Sequence, residues 1–271
     1  MKIFAIRDES DPAKNDLAYL LYYETPKHFY IELPEDADPW DTPLLLSSFA
    51  KDGITSVNSY WSRLWVQQRI VPSDRQNIGQ ILKDNGLKEY DEYALLMLGM
   101  GRCAQDDYYL SPITENDLPK KVVERFEKRI EDIVPLSNNS LLVFFRDGIV
   151  RRVDLSSYFE SHRRFQVLLQ KPELFRRVQI QPAGYGVQWD EALVISDREL
   201  YGMGKRIPLS LPDFACFVEE RVVNASEAAE ILNCSRQYIN ELVKTGKLHP
   251  IKTSDKNTLF LKSEILQRSW Q

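Results

Sequence analysis

The stretch that decides the fold at the carboxyl end is NASEAAEILNCSRQYINELVKTGKLHPIK, residues 224–252. Asn224 and Glu227 stand at capping-box spacing: the amide side chain accepts from the third helical N–H, and the carboxylate reaches back to the cap. A helix therefore starts at Ala225, with Ala228, Ile231 and Leu232 inward and Ala229 small enough for a close crossing. Asn233 falls where the chain needs a left-handed residue, which Asn tolerates better than most. Ser235 caps a second helix, Arg236 to Thr245, with Ile239, Leu242 and Val243 inward and Arg236, Gln237, Asn240 and Lys244 outward. Gly246 stops it. Two helices joined by a tight turn form the helix-turn-helix unit, whose second helix places its first residues in the DNA major groove. Arg at that place suits guanine acceptors and Gln suits adenine. A short wing follows, from Leu248–Lys252 through Asp255, Lys256 and Asn257 to Leu259–Leu261, with a last helix from about Ser263.

This run resembles the excisionase-like and MerR-like winged helix-turn-helix domains, over about 45 residues. The resemblance implies that Ser235, Arg236, Gln237 and Tyr238 hold base-reading and phosphate-contacting positions, with Asn240 and Lys244 beside them. It implies wing or backbone positions for Lys247, Lys252, Lys256 and Asn257. Such wings are usually richer in arginine, and this one sets Asp255 beside Lys256.

Upstream, Leu141–Phe145 and Ile149–Leu155 flank Asp147-Gly148, a hairpin signal read as a type I′ turn. Strands are predicted at Val178–Gln181, Gly186–Trp189 and Leu193–Ile195, and Ser196 caps a short helix through Tyr201. The marks LLVFFRDGIVRRVDLSSYF, PELFRRVQI and GYGVQWDEALVISDRELY resemble a small bacterial domain family of uncharacterised function found beside helix-turn-helix domains and in toxin-antitoxin-like gene pairs. That likeness implies a compact α+β module and names no ligand.

The front third alternates apolar stretches at Ile3–Ile6, Ala18–Tyr23 and His28–Leu33, broken at Asp11-Pro12 and Thr25-Pro26, and reads as strands. Asn58 caps a helix carrying Tyr60, Leu64 and Trp65; Ser73 or Asp74 caps another through Ile78, Ile81 and Leu82 to Asn85-Gly86; Asp91 opens a third, Tyr93–Leu98. Leu118, Val122, Phe126, Ile130 and Ile133 stand at helical spacing, predicting one amphipathic connecting helix over Thr114–Ile133. Through RIVPSDRQNIGQIL, GLKEYDEYALL and GRCAQDDYYLSPI this third resembles the N-terminal subdomain of HipA-like proteins. No kinase signature follows it, so that likeness implies no phosphoryl transfer.

The reading is α+β and multi-domain: a mixed N-terminal domain (1–134), a small α+β domain (135–208), a linker (209–221) marked by Pro208 and Pro212, and the winged helix-turn-helix (222–271). A length of 271 residues, 43% hydrophobic, suits two or three cores. No run reaches membrane-span length and Met1–Arg7 turns charged too early for a signal peptide, so a cytoplasmic protein is expected. Net charge is −5; Arg221–Gln271 carries eight basic against five acidic residues, leaving −8 for the rest.

Catalytic constellations are not legible. Cys103, Cys216 and Cys234 are isolated and read as small buried hydrophobes, and His28, His162 and His249 lie at no pairing spacing, so no metal, cofactor or nucleophile is assigned. Asp106 and Asp107, adjacent in the chain, read as a solvated turn. The pairs Gly99/Gly101, Gly184/Gly186 and Gly202/Gly204 lack the strand and helix that cradle phosphate, and read as turn glycines. Tyr60, Trp61, Trp65, Tyr90, Tyr93, Tyr108 and Tyr109 read as core packing, with an interface as the other use. The expected function is a non-enzymatic bacterial transcription regulator, antitoxin-like, binding double-stranded DNA as a homodimer. The alternative is an interaction adaptor whose helix pair docks a cognate protein.

Overall fold

The structure is a computed structural model describing residues 1–271 except Pro12–Lys14, Ser210, Asp255, Lys256 and Gln271, and the side chain of Leu211. The chain forms two compact units, Met1–Glu124 and Arg125–Gln271. It is mixed α and β with several small sheets, as an α+β chain should be.

In the first unit β1 (Lys2–Asp8), β2 (Ala18–Tyr23), β3 (His28–Glu32), β4 (Ser56–Val57) and β5 (Tyr108–Ile113) form one antiparallel sheet in the order β4-β3-β2-β1-β5. Successive strand residues face opposite sides, so Phe4, Ile6, Ala18, Leu20 and Tyr22 share one face. That face packs on side chains of α1 (Leu44–Lys51), α2 (Ser59–Gln67) and α4 (Glu92–Gly99), including Leu46, Trp65, Leu95 and Leu96; α3 (Ile78–Asp84) adds Leu82. Asn58 and Asp91 cap their helices as read, accepting from Trp61 N and Ala94 N. Asn77, not Ser73 or Asp74, precedes α3. The aromatic group divides: Trp65 is buried and Tyr93 stacks on Tyr22 at 4.2 Å, whereas Tyr60 is 70% exposed. Asp106 is no free turn residue, since it accepts from both terminal nitrogens of the buried Arg69 at 3.0 and 2.7 Å.

The predicted helix over Thr114–Ile133 is corrected. Thr114 caps a single 3-10 turn, Leu118 is extended (φ −70°, ψ 142°) ahead of Pro119, and only α5 (Lys120–Glu127) is helical. A proline disfavours helical backbone in the residue before it. Ile130 and Ile133 belong instead to β6 (Ile130–Pro135), where a register shift between Ile130 and Asp132 disturbs the alternation that would have announced a strand.

In the second unit β6 pairs with β7 (Ser140–Phe145), and β7 with β8 (Val150–Asp154). The hairpin is where the sequence puts it, but the turn is different. Gly148 alone has positive φ, Gly148 N donates to Phe145 O at 2.9 Å, and Phe145 N donates to Ile149 O at 3.0 Å. This is a three-residue loop closing on a left-handed glycine. Three short helices follow, α6 (Ser156–Ser161), α7 (Gln166–Gln170) and α8 (Pro172–Phe175), then a small sheet of β9 (Gln179–Ile180), β10 (Gly186–Gln188) and β11 (Val194–Ser196). Their core is aromatic: Trp189 stacks on Phe175 and meets Phe159 and Phe165 edge-on. Gly184 is fixed by contact, because a Cβ there would lie 2.1 Å from Ile130 O at a φ of +81°. α9 (Asp197–Met203) carries the Ser196/Glu199 capping box, and β12 (Lys205–Arg206) pairs with β8.

The expected linker 209–221 is also corrected: residues from Leu211 form α10 (Leu211–Arg221). Pro212 lies in the first turn of that helix, where its missing N–H has no intrahelical acceptor, so the proline starts a helix rather than marking a tether. Phe217 of α10 meets Phe144 at 4.9 Å, and Arg221 is ion-paired with the buried Asp132 of β6. The three cysteines, expected buried, are all partly exposed.

Candidate nucleic-acid interface

The last segment builds from its caps. β13 (Val222–Asn224) leads into α11 (Ala225–Ile231). Asn224 Oδ1 accepts from Ser226 N at 2.8 Å and Glu227 N at 3.1 Å, while Glu227 Oε2 accepts from Asn224 N at 2.7 Å. Asn233 is left-handed (φ +49°) and turns the chain. Ser235 Oγ then accepts from Tyr238 N at 3.2 Å, opening α12 (Arg236–Lys244). Ala228, Ala229, Ile239 and Leu242 are buried together with Val223, Leu248, Phe260 and Ile265. Ser235→Ala removes the acceptor of the Tyr238 N–H and is expected to cost about 1 kcal/mol, read in urea denaturation of the full chain. A loss near zero would mean water replaces the cap.

Advancing 100° per residue, Arg236, Gln237, Asn240 and Lys244 fall within one arc of roughly 100° on α12. All four are exposed, as are Ser235 and Tyr238. Ile239 and Leu242, on the other side, anchor the helix. Tyr238 is 48% exposed but points nearly opposite Asn240, so the structure separates it from the polar stripe. Among the described residues Arg236, Lys244, Lys247 and Lys252 have no acidic partner within ion-pair distance. Glu241 was not weighed from sequence; it is exposed at the rim of the same stripe and weakens its positive character.

Beyond α12 the chain makes a hairpin of β14 (Lys252–Thr253) and β15 (Thr258–Leu261), and β13 adds to the other edge of β15. Lys252 and Asn257 are exposed; Asn257 shapes the tip through its backbone, its carbonyl accepting from Ser254 N at 2.8 Å and Ser254 Oγ at 3.0 Å. Lys256 lies outside the described residues.

Positioning comes from α13 (Lys262–Ser269), the last helix expected from about Ser263, through long-range contacts that local reading does not reveal. Glu264 Oε1 accepts from His249 N and contacts His249 Nδ1, both at 2.9 Å, and Arg268 donates to the Lys247 carbonyl. These contacts hold the segment between α12 and the hairpin, and so set where Lys247 and Lys252 stand relative to the helix. Trp270, just past α13, packs on the aromatic core of the preceding domain.

Two family models match the chain. Residues 222–268 match "Helix-turn-helix domain" and residues 130–205 match "Protein of unknown function (DUF2442)", a span that begins with β6. No curated protein matches the chain in sequence. One similar solved structure is a candidate DNA-binding protein of Nitrosomonas europaea ATCC 19718, 22% identical, covering 45% of this chain and 79% of that one. Its TM-score of 0.26 is too low to show a shared fold.

Proposed function

We propose that the chain is a DNA-binding transcription regulator that reads double-stranded DNA through α12, with the β14–β15 hairpin as a wing on the phosphate backbone. The observation that carries this is the polar stripe itself: within a matched helix-turn-helix segment, Arg236, Gln237, Asn240 and Lys244 are exposed on one side while Ile239 and Leu242 are buried on the other. A helix that opens with Arg and Gln side chains on that stripe fits a major groove. The reading assigns binding and no catalytic step.

One helix-turn-helix covers one half-site, so the finer proposal is a cytoplasmic homodimer on paired half-sites, acting as an antitoxin-like repressor. The HipA-like reading of residues 1–134 belongs to the same proposal. After selection of a binding site from random duplexes, Arg236→Ala and Gln237→Ala are each expected to weaken binding by about 1 to 3 kcal/mol and to relax preference at one or two positions. Light scattering on the complex should give two chains per site. Unchanged affinity in both variants favours a second reading, a protein-docking adaptor, for which the exposed Tyr238, Ile251 and Glu241 are the supporting observations.

A further inference from the structure

The first unit holds an open cleft of about 690 Å³, walled by β1, β2, the 34–42 segment and the start of α5. Residues 1–124 carry a net charge of −8, and seven carboxylates line this cleft, among them Asp11, Asp16 and Asp36. The cations among the described lining residues are already engaged. Arg7 donates to Asp16 at 2.7 Å and to Ser111 Oγ at 3.0 Å, and Lys121 lies 3.4 Å from Glu124. Asp11 and Asp36 are exposed and have no partner among the described residues.

A second observation is independent of the acids. Tyr19 of β2 lines the cleft, is 4% exposed, and its hydroxyl makes no hydrogen bond to any described residue. The ring is buried while the hydroxyl opens on the cleft, where it can meet a donor that enters. Burial, and then the negative charge of Asp16, push this phenol up to about 12, so it stays neutral and can accept from a cationic donor.

The spread of charge selects the ligand. Among the described residues no three acidic, His or Cys side chains converge as a metal site would require. The carboxylates are instead dispersed along a wall that also presents Leu17, Pro34 and Val122. Ammonium groups separated by methylene spacers match that alternation, since the charged ends stay on carboxylates while the spacers lie on apolar surface.

We propose that this cleft binds an extended polyamine, its ammonium groups on Asp11 and Asp36 and one N–H donated to the Tyr19 hydroxyl. The test is calorimetric titration of the full chain at constant ionic strength with spermidine, tri-lysine and Mg²⁺. One spermidine per chain is expected, and Tyr19→Phe and Asp36→Asn are each expected to weaken it about tenfold or more, the scale of a lost charge-assisted hydrogen bond. Asp36 is on the surface and Tyr19→Phe keeps the ring, so both variants should keep the parent's thermal melt. Spermidine affinity unchanged in both variants, or Mg²⁺ displacing it at matched ionic strength, would overturn the proposal in favour of diffuse charge. Tri-lysine binding more tightly than spermidine would overturn the polyamine assignment in favour of a partner's basic segment.

Discussion

Arg221→Ala is expected to destabilise the Arg125–Gln271 unit by about 3 to 5 kcal/mol, the cost of leaving one member of a buried ion pair alone. Arg221 ends α10 and is 9% exposed; Asp132, in β6, is 3% exposed and also accepts from Ile133 N at 2.7 Å. Burial pushes the Asp132 carboxyl above its ordinary value, and the Arg221 guanidinium pulls it the other way without overcoming burial. Removing Arg221 takes away the largest influence against burial and leaves only the Ile133 N–H and the Ser263 hydroxyl to oppose it, so the folded carboxyl titrates still higher than the unfolded one. A raised folded pKa contributes stability that is whole below the unfolded value near 4 and is lost as pH rises through the folded value. The deficit in Arg221→Ala should therefore be largest at neutral pH and shrink toward pH 4. Adding Asp132→Asn should recover a large part of the loss, because the uncompensated charge has gone. Hydrogen exchange over β6 and β13 reads the opening directly, without assuming a single cooperative transition for a chain of two units. A deficit below about 1 kcal/mol at pH 7 would mean water already screens the pair.

The same junction shows what the sequence could and could not tell. Asn58, Asp91, Ser196, Asn224 and Ser235 were legible as caps because donor and acceptor lie within three residues of each other, where spacing alone fixes geometry. Asn233 was legible because the turn demands a left-handed residue. Nothing local joins Asp132 to Arg221, Glu264 to His249 or Arg268 to Lys247, since each pair is made by chain paths that meet only after folding. The two prolines that misled did so for opposite reasons: Pro119 interrupts what hydrophobic spacing suggested was one helix, and Pro212 begins a helix where a tether was read. The polar stripe of α12 was predictable in full from helical spacing, and the same spacing sets Glu241 at its rim, one position outside the cationic side chains. α1 gave no cap to read, and none of its side-chain groups caps it in the structure.

The second large effect concerns salt. If Arg236, Lys244, Lys247 and Lys252 each meet a phosphate or a base edge beside one, about four counterions leave the duplex, the slope of log affinity against log salt is about −3 to −4, and raising salt from about 50 to about 200 mM weakens binding roughly a hundredfold. The two kinds of contact then separate. Lys252→Ala, in β14 and away from the groove-facing stripe, should reduce the slope by about one and weaken all duplexes alike. Gln237→Ala carries no charge change, so the slope should stay and only discrimination between sequences should fall. A protein ligand on the same surface has no polyelectrolyte to discharge, and the rim carboxylate of Glu241 would then meet a basic partner rather than oppose a phosphate. A shallow slope that Lys252→Ala does not alter, together with no measurable gain in DNA binding in Glu241→Gln, would therefore remove nucleic acid from this face and leave the adaptor reading in its place.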